Sequence, residues 1–333
     1  MPARARRTNS RRKVQKFSSS KLLTLFLIAA FVVLVTGSMV RAASLWNTRL
    51  WKGEERLTFV VATDPPVLVS YQTKAGELVL ISFPRTLEIE ASSGAGDWQI
   101  ASLFELGRQQ KIGGTLLAKS VQYQLQVPVD GWIEGKGITL LGYGDVEEIT
   151  AGAHPLSGMR ALFAAFSSIG LDTNFTFFDK VRIARTLGGM DGSHRRVINA
   201  QERRIVRSVR RADGSMGFIL DKERVQELTL REFQDVLVAQ ERVGIGVVNT
   251  TDKAGAGGQI AAVVEGMGAR IVWVRAGSGG GEHCTLRTRQ ETRETLTVRR
   301  LKELLGCIIT GDADSAPVEL VVNEGLARSL PAP

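Results

Sequence analysis

The sequence predicts a mixed α/β (α+β) fold behind a single N-terminal transmembrane helix, and three observations predict it. Nineteen consecutive residues, Leu22 to Val40 (LLTLFLIAAFVVLVTGSMV), carry no charge. From Leu57 onward, short β-branched runs separated by turn-formers give way to helically spaced apolar residues. From Arg242 onward, strands and helices follow in the order βαββαβ.

The uncharged run is the membrane candidate. As a helix it would be about 28 Å long, close to the roughly 30 Å hydrocarbon core of a bilayer. A cleaved signal peptide is the rival, because Val40-Arg41-Ala42 faintly resembles a cleavage site. Signal h-regions run about 7–15 residues, so the longer stretch favours an uncleaved anchor. The chain has 333 residues, with 43 Lys+Arg against 34 Asp+Glu and a formal charge of +9. Eight of those cations (Arg4, Arg6, Arg7, Arg11, Arg12, Lys13, Lys16 and Lys21) precede the span without one acid, and removing them leaves 35 basic and 34 acidic residues. The positive-inside rule then places the tail in the cytoplasm, suited to anionic lipid, and exports the rest of a single-pass plasma-membrane protein. The exported part is nearly neutral, which argues against nucleic acid as a partner. Trp46 and Trp51 follow the span, where an indole can sit among lipid headgroups or pack into a core. The implied organisation is a basic tail (1–21), a transmembrane helix (22–41), a juxtamembrane linker (42–56) and exported units at 57–239 and 240–333.

Each exported element has a local cause. LTFVVAT (57–63), VLVSY (67–71) and ELVLISF (77–83) read as strands, divided by Asp64-Pro65-Pro66 and by 72–76. Ile112, Leu116, Val121 and Leu125 recur near the helical period, and that helix stops before Pro128. Ile138–Leu141 reads as a strand, Met159–Ile169 as a buried helix, and 174–190 as a Phe-rich helix. Asp213-Gly214 between 204–211 and 216–220 is a hairpin signal, and Leu228–Val238 reads as one helix. Beyond it come strand 243–249, helix 256–268, strand 269–274, strand 284–288, helix 296–306 and strand 318–322, the order of a split βαβ, ferredoxin-like unit.

Cys284 and Cys307 are the two cysteines. An even count in an exported chain favours a disulfide, worth roughly 3 kcal/mol for a loop of this size. Buried thiols are the alternative in a reducing setting, and two cysteines beside His283 make an incomplete zinc set. His154 and His194 show no ligand spacing and read as surface residues, and no Ser-His-Asp constellation is legible. Gly255-Ala256-Gly257-Gly258 fails the nucleotide-loop spacings and reads as a tight turn.

Several segments, taken in order, resemble the LytR-CpsA-Psr family of bacterial cell-envelope proteins. Asp64 with VLVSY is similar to the family's Asp-Thr and following strand, and LVLISFPRT (78–86) to the strand ending in Ser-x-Pro-Arg-Asp. Trp98-Gln99-Ile100-Ala101 with Gly113-Gly114 resembles the Lys-Ile-Asn-Ala…Gly-Gly stretch, and Val127-Pro128-Val129-Asp130 with Trp132 resembles Ile-Pro-Ile-Asp-Tyr-Tyr. Residues 243–274 and VELVVNEGL (318–326) resemble the LytR C-terminal domain.

The resemblance implies transfer of glycopolymer from a polyprenyl-pyrophosphate carrier to peptidoglycan, usually with magnesium. Arg85 would then hold pyrophosphate and Asp64 the metal. The sequence departs from the pattern: Thr86 replaces the adjacent Asp, and the later Arg-x-Arg and Gly-Arg-x-x-Arg-Gln motifs have no clear counterpart. Gly107-Arg108-Gln109-Gln110 looks like a fragment of the latter but stands too early in the chain and reads as coincidence. Asp64 and Arg85 read otherwise as a turn aspartate and a surface arginine. Arg195, Arg196, Arg203, Arg204, Arg207, Arg210 and Arg211 could replace the missing arginines on a pyrophosphate or polyanion, or form a solvated basic hairpin. The departures favour a binding or scaffolding member of the family, with an active phosphotransferase as the alternative.

Overall fold

A computed structural model describes residues 19–47, 49–135, 172–188, 190, 192–211, 213–279 and 281–331. The predicted strand at 138–141 and helix at 159–169 lie outside those residues, as does His154. The chain divides into two units, residues 1–48 and 49–333.

In the first unit a helix, α1 (Ser19–Asn47), covers the predicted span. Its individually described side chains run unbroken only from Phe26 to Arg41. Phe26, Phe31, Val33, Leu34 and Val40 are each at least two-thirds exposed. Among the described residues no helix is long and apolar enough to cross a membrane; Leu22, Leu23 and Leu25 are outside the described side chains.

The second unit is built on three sheets. The first has the order β6-β1-β2-β3-β7, from Gly131–Glu134, Leu57–Ala62, Val67–Gln72, Glu77–Ser82 and Arg195–Asn199. β1, β2 and β3 are antiparallel, whereas β6 lies parallel to β1 and β7 parallel to β3. β1 is buried on both faces, as its continuous apolar run requires. Val60, Leu68, Val79 and Ile81 meet α3 (Thr115–Leu125), which follows α2 (Leu103–Gln109). Phe59, Val61 and Val69 meet Ile183, Ala184 and Leu187 of α4 (Phe177–Gly188). Trp51 belongs to this second core: it is 2% exposed, stands edge-on to Tyr71 and donates its indole N–H to the Glu55 carbonyl. Core packing therefore replaces the headgroup reading of Trp51.

The second sheet, β5-β4-β9-β8, comprises Asp97–Gln99, Leu87–Glu90, Met216–Leu220 and Val206–Arg210. β8 and β9 form the predicted hairpin, with Gly214 at φ +83° in its turn. The predicted helix 228–238 is two helices, α5 (Lys222–Glu232) and α6 (Val236–Glu241). Asp235 breaks it by capping α6, its carboxylate accepting from the Leu237 N–H.

The third sheet corrects the predicted ferredoxin-like pairing. β10 (Gly244–Asn249), α7 (Ala256–Gly266) and β11 (Arg270–Ala276) form one βαβ unit, with β10 and β11 directly paired. β12 (Thr285–Thr288), α8 (Leu296–Leu305) and β13 (Ile308–Gly311) form a second. β14 (Val318–Val322) joins the two, giving the order β11-β10-β14-β12-β13. Neither unit is split, and β13 is a strand that the sequence reading lacked. Cys284 and Cys307, just ahead of β12 and β13, form a disulfide, and the Ile308 N–H donates to the Cys284 carbonyl at 3.0 Å. Gly255 takes φ +77° at the cap of α7, the tight turn expected there. A short helix, α9 (Glu324–Ala327), follows β14.

Candidate functional site

Because β1, β6, β3 and β7 run in the same direction, their carboxyl ends share one edge of the first sheet. Binding groups gather at such an edge because the strands hold their outgoing loops side by side. Asp64 follows β1 and Arg85 follows β3. Phe83 and Leu87, at 2% and 0% exposure, pin the intervening turn, and the Leu87 N–H donates to the Pro84 carbonyl. Arg85 is thereby turned outward, with Nη2 2.8 Å from Asp64 Oδ2. The arginine and aspartate side chains are 71% and 52% exposed. Such a pair contributes only about 0–1 kcal/mol to stability, so a stronger anion can take the guanidinium at little cost.

Two further charges lie at the end of the neighbouring strand β6, and the sequence reading lacked their role. Glu134 ends β6 opposite Ala62 of β1. Arg108 on α2 lies 3.4 Å from Glu134 and 3.6 Å from Glu105. The fragment Gly107-Arg108-Gln109-Gln110 thus sets its arginine, from α2, against the end of the strand next to the one that leads into Asp64. Its position early in the chain hid this, because α2 reaches the edge only through the fold. Gly114 is required here for a packing reason: a Cβ would strike the Trp132 ring. The Gly113-Gly114 and Trp132 segments of the resemblance therefore meet in space.

Position 86 presents its backbone to Arg211. The Thr86 carbonyl accepts from Arg211 Nη2 at 3.1 Å, while Arg211 Nε lies 2.5 Å from Glu88. No second carboxylate stands beside Asp64 in the motif, and among the described residues no group of three or more His, Cys, Asp or Glu side chains could hold a metal ion. Among the described residues, then, none completes a magnesium site around Asp64.

The seven arginines of 195–211 are not one patch. Arg195 and Arg196 belong to β7, which the sequence reading had merged with the hairpin. Arg195 donates to the Met190 carbonyl. Arg196 Nη1 donates to both Glu232 oxygens, at 2.8 and 2.6 Å. Arg203 and Arg204 occupy the exposed turn after β7, with Arg204 at φ +55°. Arg207 and Arg210 are exposed on β8, and Arg211 is committed to Glu88.

Asp130 has an unexpected place. It is buried, accepts from the Thr58 N–H at 2.8 Å, and pairs at 2.7 Å with Arg300 of α8, itself 2% exposed. Burial pushes the Asp130 carboxyl up, opposed by Arg300. Burial, the largest single influence, would lower the Arg300 guanidinium, but Asp130 together with Glu55 and Asp235 turns the net shift upward. Nearby, burial lowers Lys119 to about 8, opposed by Asp130. Lys119 lines a cleft of about 530 Å³ between α3 and the 303–306 turn, and donates to the Leu304 carbonyl at 3.1 Å.

No family model matches the chain, and no curated protein matches it. Among solved structures it is similar to TagT of Bacillus subtilis, at 16% identity and TM-score 0.38, over 54% of this chain and 89% of that one. It is similar to the LytR-CPS2A-psr family protein YwtF (TagT) with bound octaprenyl pyrophosphate lipid, at 16% identity and TM-score 0.38, over 53% and 88%. TagV of B. subtilis matches at 14% identity and TM-score 0.36, over 54% and 95%. Over about half of its length, then, the chain is similar to LytR-CPS2A-psr family structures.

Proposed function

We propose that this chain is a single-pass membrane protein of the bacterial cell envelope that binds a polyprenyl-pyrophosphate-linked glycopolymer outside the cytoplasm without transferring it. The observation that carries the binding reading is the exposed Asp64–Arg85 pair at 2.8 Å. An arginine fork is the group that recognises a pyrophosphate, and this one is released at small cost. The replacement of the family's second aspartate by Thr86 supports binding over turnover, because neutralising a phosphoanhydride rests on several cationic donors and on a cation that carboxylates hold, and this motif offers one arginine and one aspartate. The nineteen uncharged residues and the eight preceding cations support the anchor and its orientation. The 240–333 segment, read as a LytR C-terminal-like domain, belongs to the same exported part.

A transferring enzyme is the second reading, favoured by Arg108 at the same edge. The full chain in detergent is assayed for binding of octaprenyl pyrophosphate, beside Arg85→Ala, and for turnover with a glycan-loaded carrier, peptidoglycan and magnesium. The binding role predicts affinity that falls about tenfold or more in Arg85→Ala, with no product in either protein. Product dependent on Arg85 establishes the transferase instead, and wild-type protein that fails to bind the lipid overturns both. Deleting residues 22–40 is expected to release the chain from the membrane fraction; retention there would remove the anchor.

A further inference from the structure

The sequence places seven arginines in one run, but the fold joins two of them, Arg196 and Arg203, to Arg224 and Arg231 of α5. α5 lies beside β7, the outermost strand of its sheet. At one end the Asp221 N–H donates to the Ile205 carbonyl at 2.8 Å, and at the other Arg196 holds Glu232. A groove of about 270 Å³ runs between them, lined by Arg196, Arg203, Arg224 and Arg231. Arg224, Leu228 and Arg231 share a helix face by their spacing, and Arg224 and Arg231 stand about 10 Å apart along the axis. Arg203 and Arg224 thus mark one end of the groove, and Arg196 and Arg231 the other.

The positive charge is not neutralised in place. Glu232 is shared by Arg196 at 2.6 Å and Arg231 at 3.2 Å. Glu227 faces Arg224 at 2.9 Å in a pair more than half exposed on both sides. The Arg203 side chain has no ion-pair partner among the described residues. The floor is aliphatic, made by Ile198, Ile205 and Leu228. Ser82 of β3 faces Asn199 of β7, so the Arg203 end opens at the sheet edge that carries Arg85.

We propose that this groove binds a linear phosphodiester-linked glycopolymer or polyol phosphate, each guanidinium pair gripping one of two phosphates along the chain. The proposal rests on the envelope reading for the source of the polymer. Two grips about 10 Å apart favour a polymer over a single phosphate, because the second contact is made at high effective concentration. Nucleic acid is the poorer polyanion for this groove, because no aromatic ring lies in the floor to stack a base.

The full chain is titrated at low and at physiological salt with synthetic poly(glycerol phosphate), inorganic phosphate and an oligothymidylate of matched charge. Poly(glycerol phosphate) is expected to bind at least about a hundredfold more tightly than inorganic phosphate and more tightly than the oligothymidylate. Arg203→Gln/Arg224→Gln should weaken polymer binding about tenfold or more, and Arg207→Gln/Arg210→Gln on the exposed β8 by less than about threefold. Equal weakening by the two double variants, tighter binding of the oligothymidylate, or no polymer binding at low salt would overturn the proposal. Arg85→Ala should leave polymer binding within about threefold while weakening that of octaprenyl pyrophosphate about tenfold or more, so failure of the groove and failure of the carrier site are read separately.

Discussion

Two aspartate–arginine pairs in this chain have almost the same length and opposite consequences. Asp64–Arg85, at 2.8 Å, is open to solvent at the edge of a sheet. Asp130–Arg300, at 2.7 Å, is buried where α8 meets β1 and the start of β6. The exposed pair gains little from Coulomb attraction in high dielectric and is free to exchange partners. The buried pair has lost its water, so each charge depends on the other. Distance alone therefore says nothing about role. Solvent access separates a site from a fastening.

The largest expected effect comes from breaking the buried pair. Arg300→Ala should destabilise the protein by about 3–5 kcal/mol in urea denaturation, because it strands the Asp130 carboxylate. Asp130→Leu/Arg300→Met should regain part of that loss but leave the Thr58 N–H without its acceptor. A loss below about 1 kcal/mol for Arg300→Ala would erase the contrast between the pairs. Next is the disulfide, which closes the unit that carries Arg300. Cys284→Ser/Cys307→Ser should cost roughly 3 kcal/mol, and combined with Arg300→Ala the costs should not add, since both constrain α8.

Lys119 sharpens the comparison by pH. Its folded value of about 8 lies below the ordinary 10.5, so between those values the unfolded chain holds a proton that the folded chain has released. Stability should therefore rise with pH across that window, on the order of 1 kcal/mol after solvent screening. Thermal melts of Lys119→Met should lack this component; an equal rise in the variant would place its origin elsewhere. The smallest effect on stability belongs to the exposed pair: Arg85→Ala should shift unfolding by no more than about 1 kcal/mol. A larger shift in urea denaturation would make Arg85 a structural residue.

Much of the fold was legible because local chemistry decided it. The runs 57–63, 67–71 and 77–83 are strands because their β-branched residues are bounded by Asp64-Pro65-Pro66 and by Gly76 at φ +66°. β7 was not legible because RRVIN opens with two arginines, and only the parallel ladder with β3 makes it a strand. The helix across 228–238 has continuous apolar spacing, and its break depends on Asp235, whose carboxylate caps α6 and also accepts from the Arg56 N–H. In the site, Asp64 and Arg85 were legible as motif residues. Arg108, Glu134, Arg224 and Arg231 were not, since only the fold brings α2 to the end of β6 and α5 beside β7.

By itself the sequence determined the α/β class, the choice of Asp64 and Arg85 as candidate site residues, and the pair of cysteines that could join. These follow from side-chain pattern and residue type, which act over a few neighbours. Only the tertiary structure decided which strands are adjacent, which arginines share a groove, and which of two similar ion pairs is dry. Strand order and burial depend on contacts between distant segments, and periodicity along the chain carries no record of them.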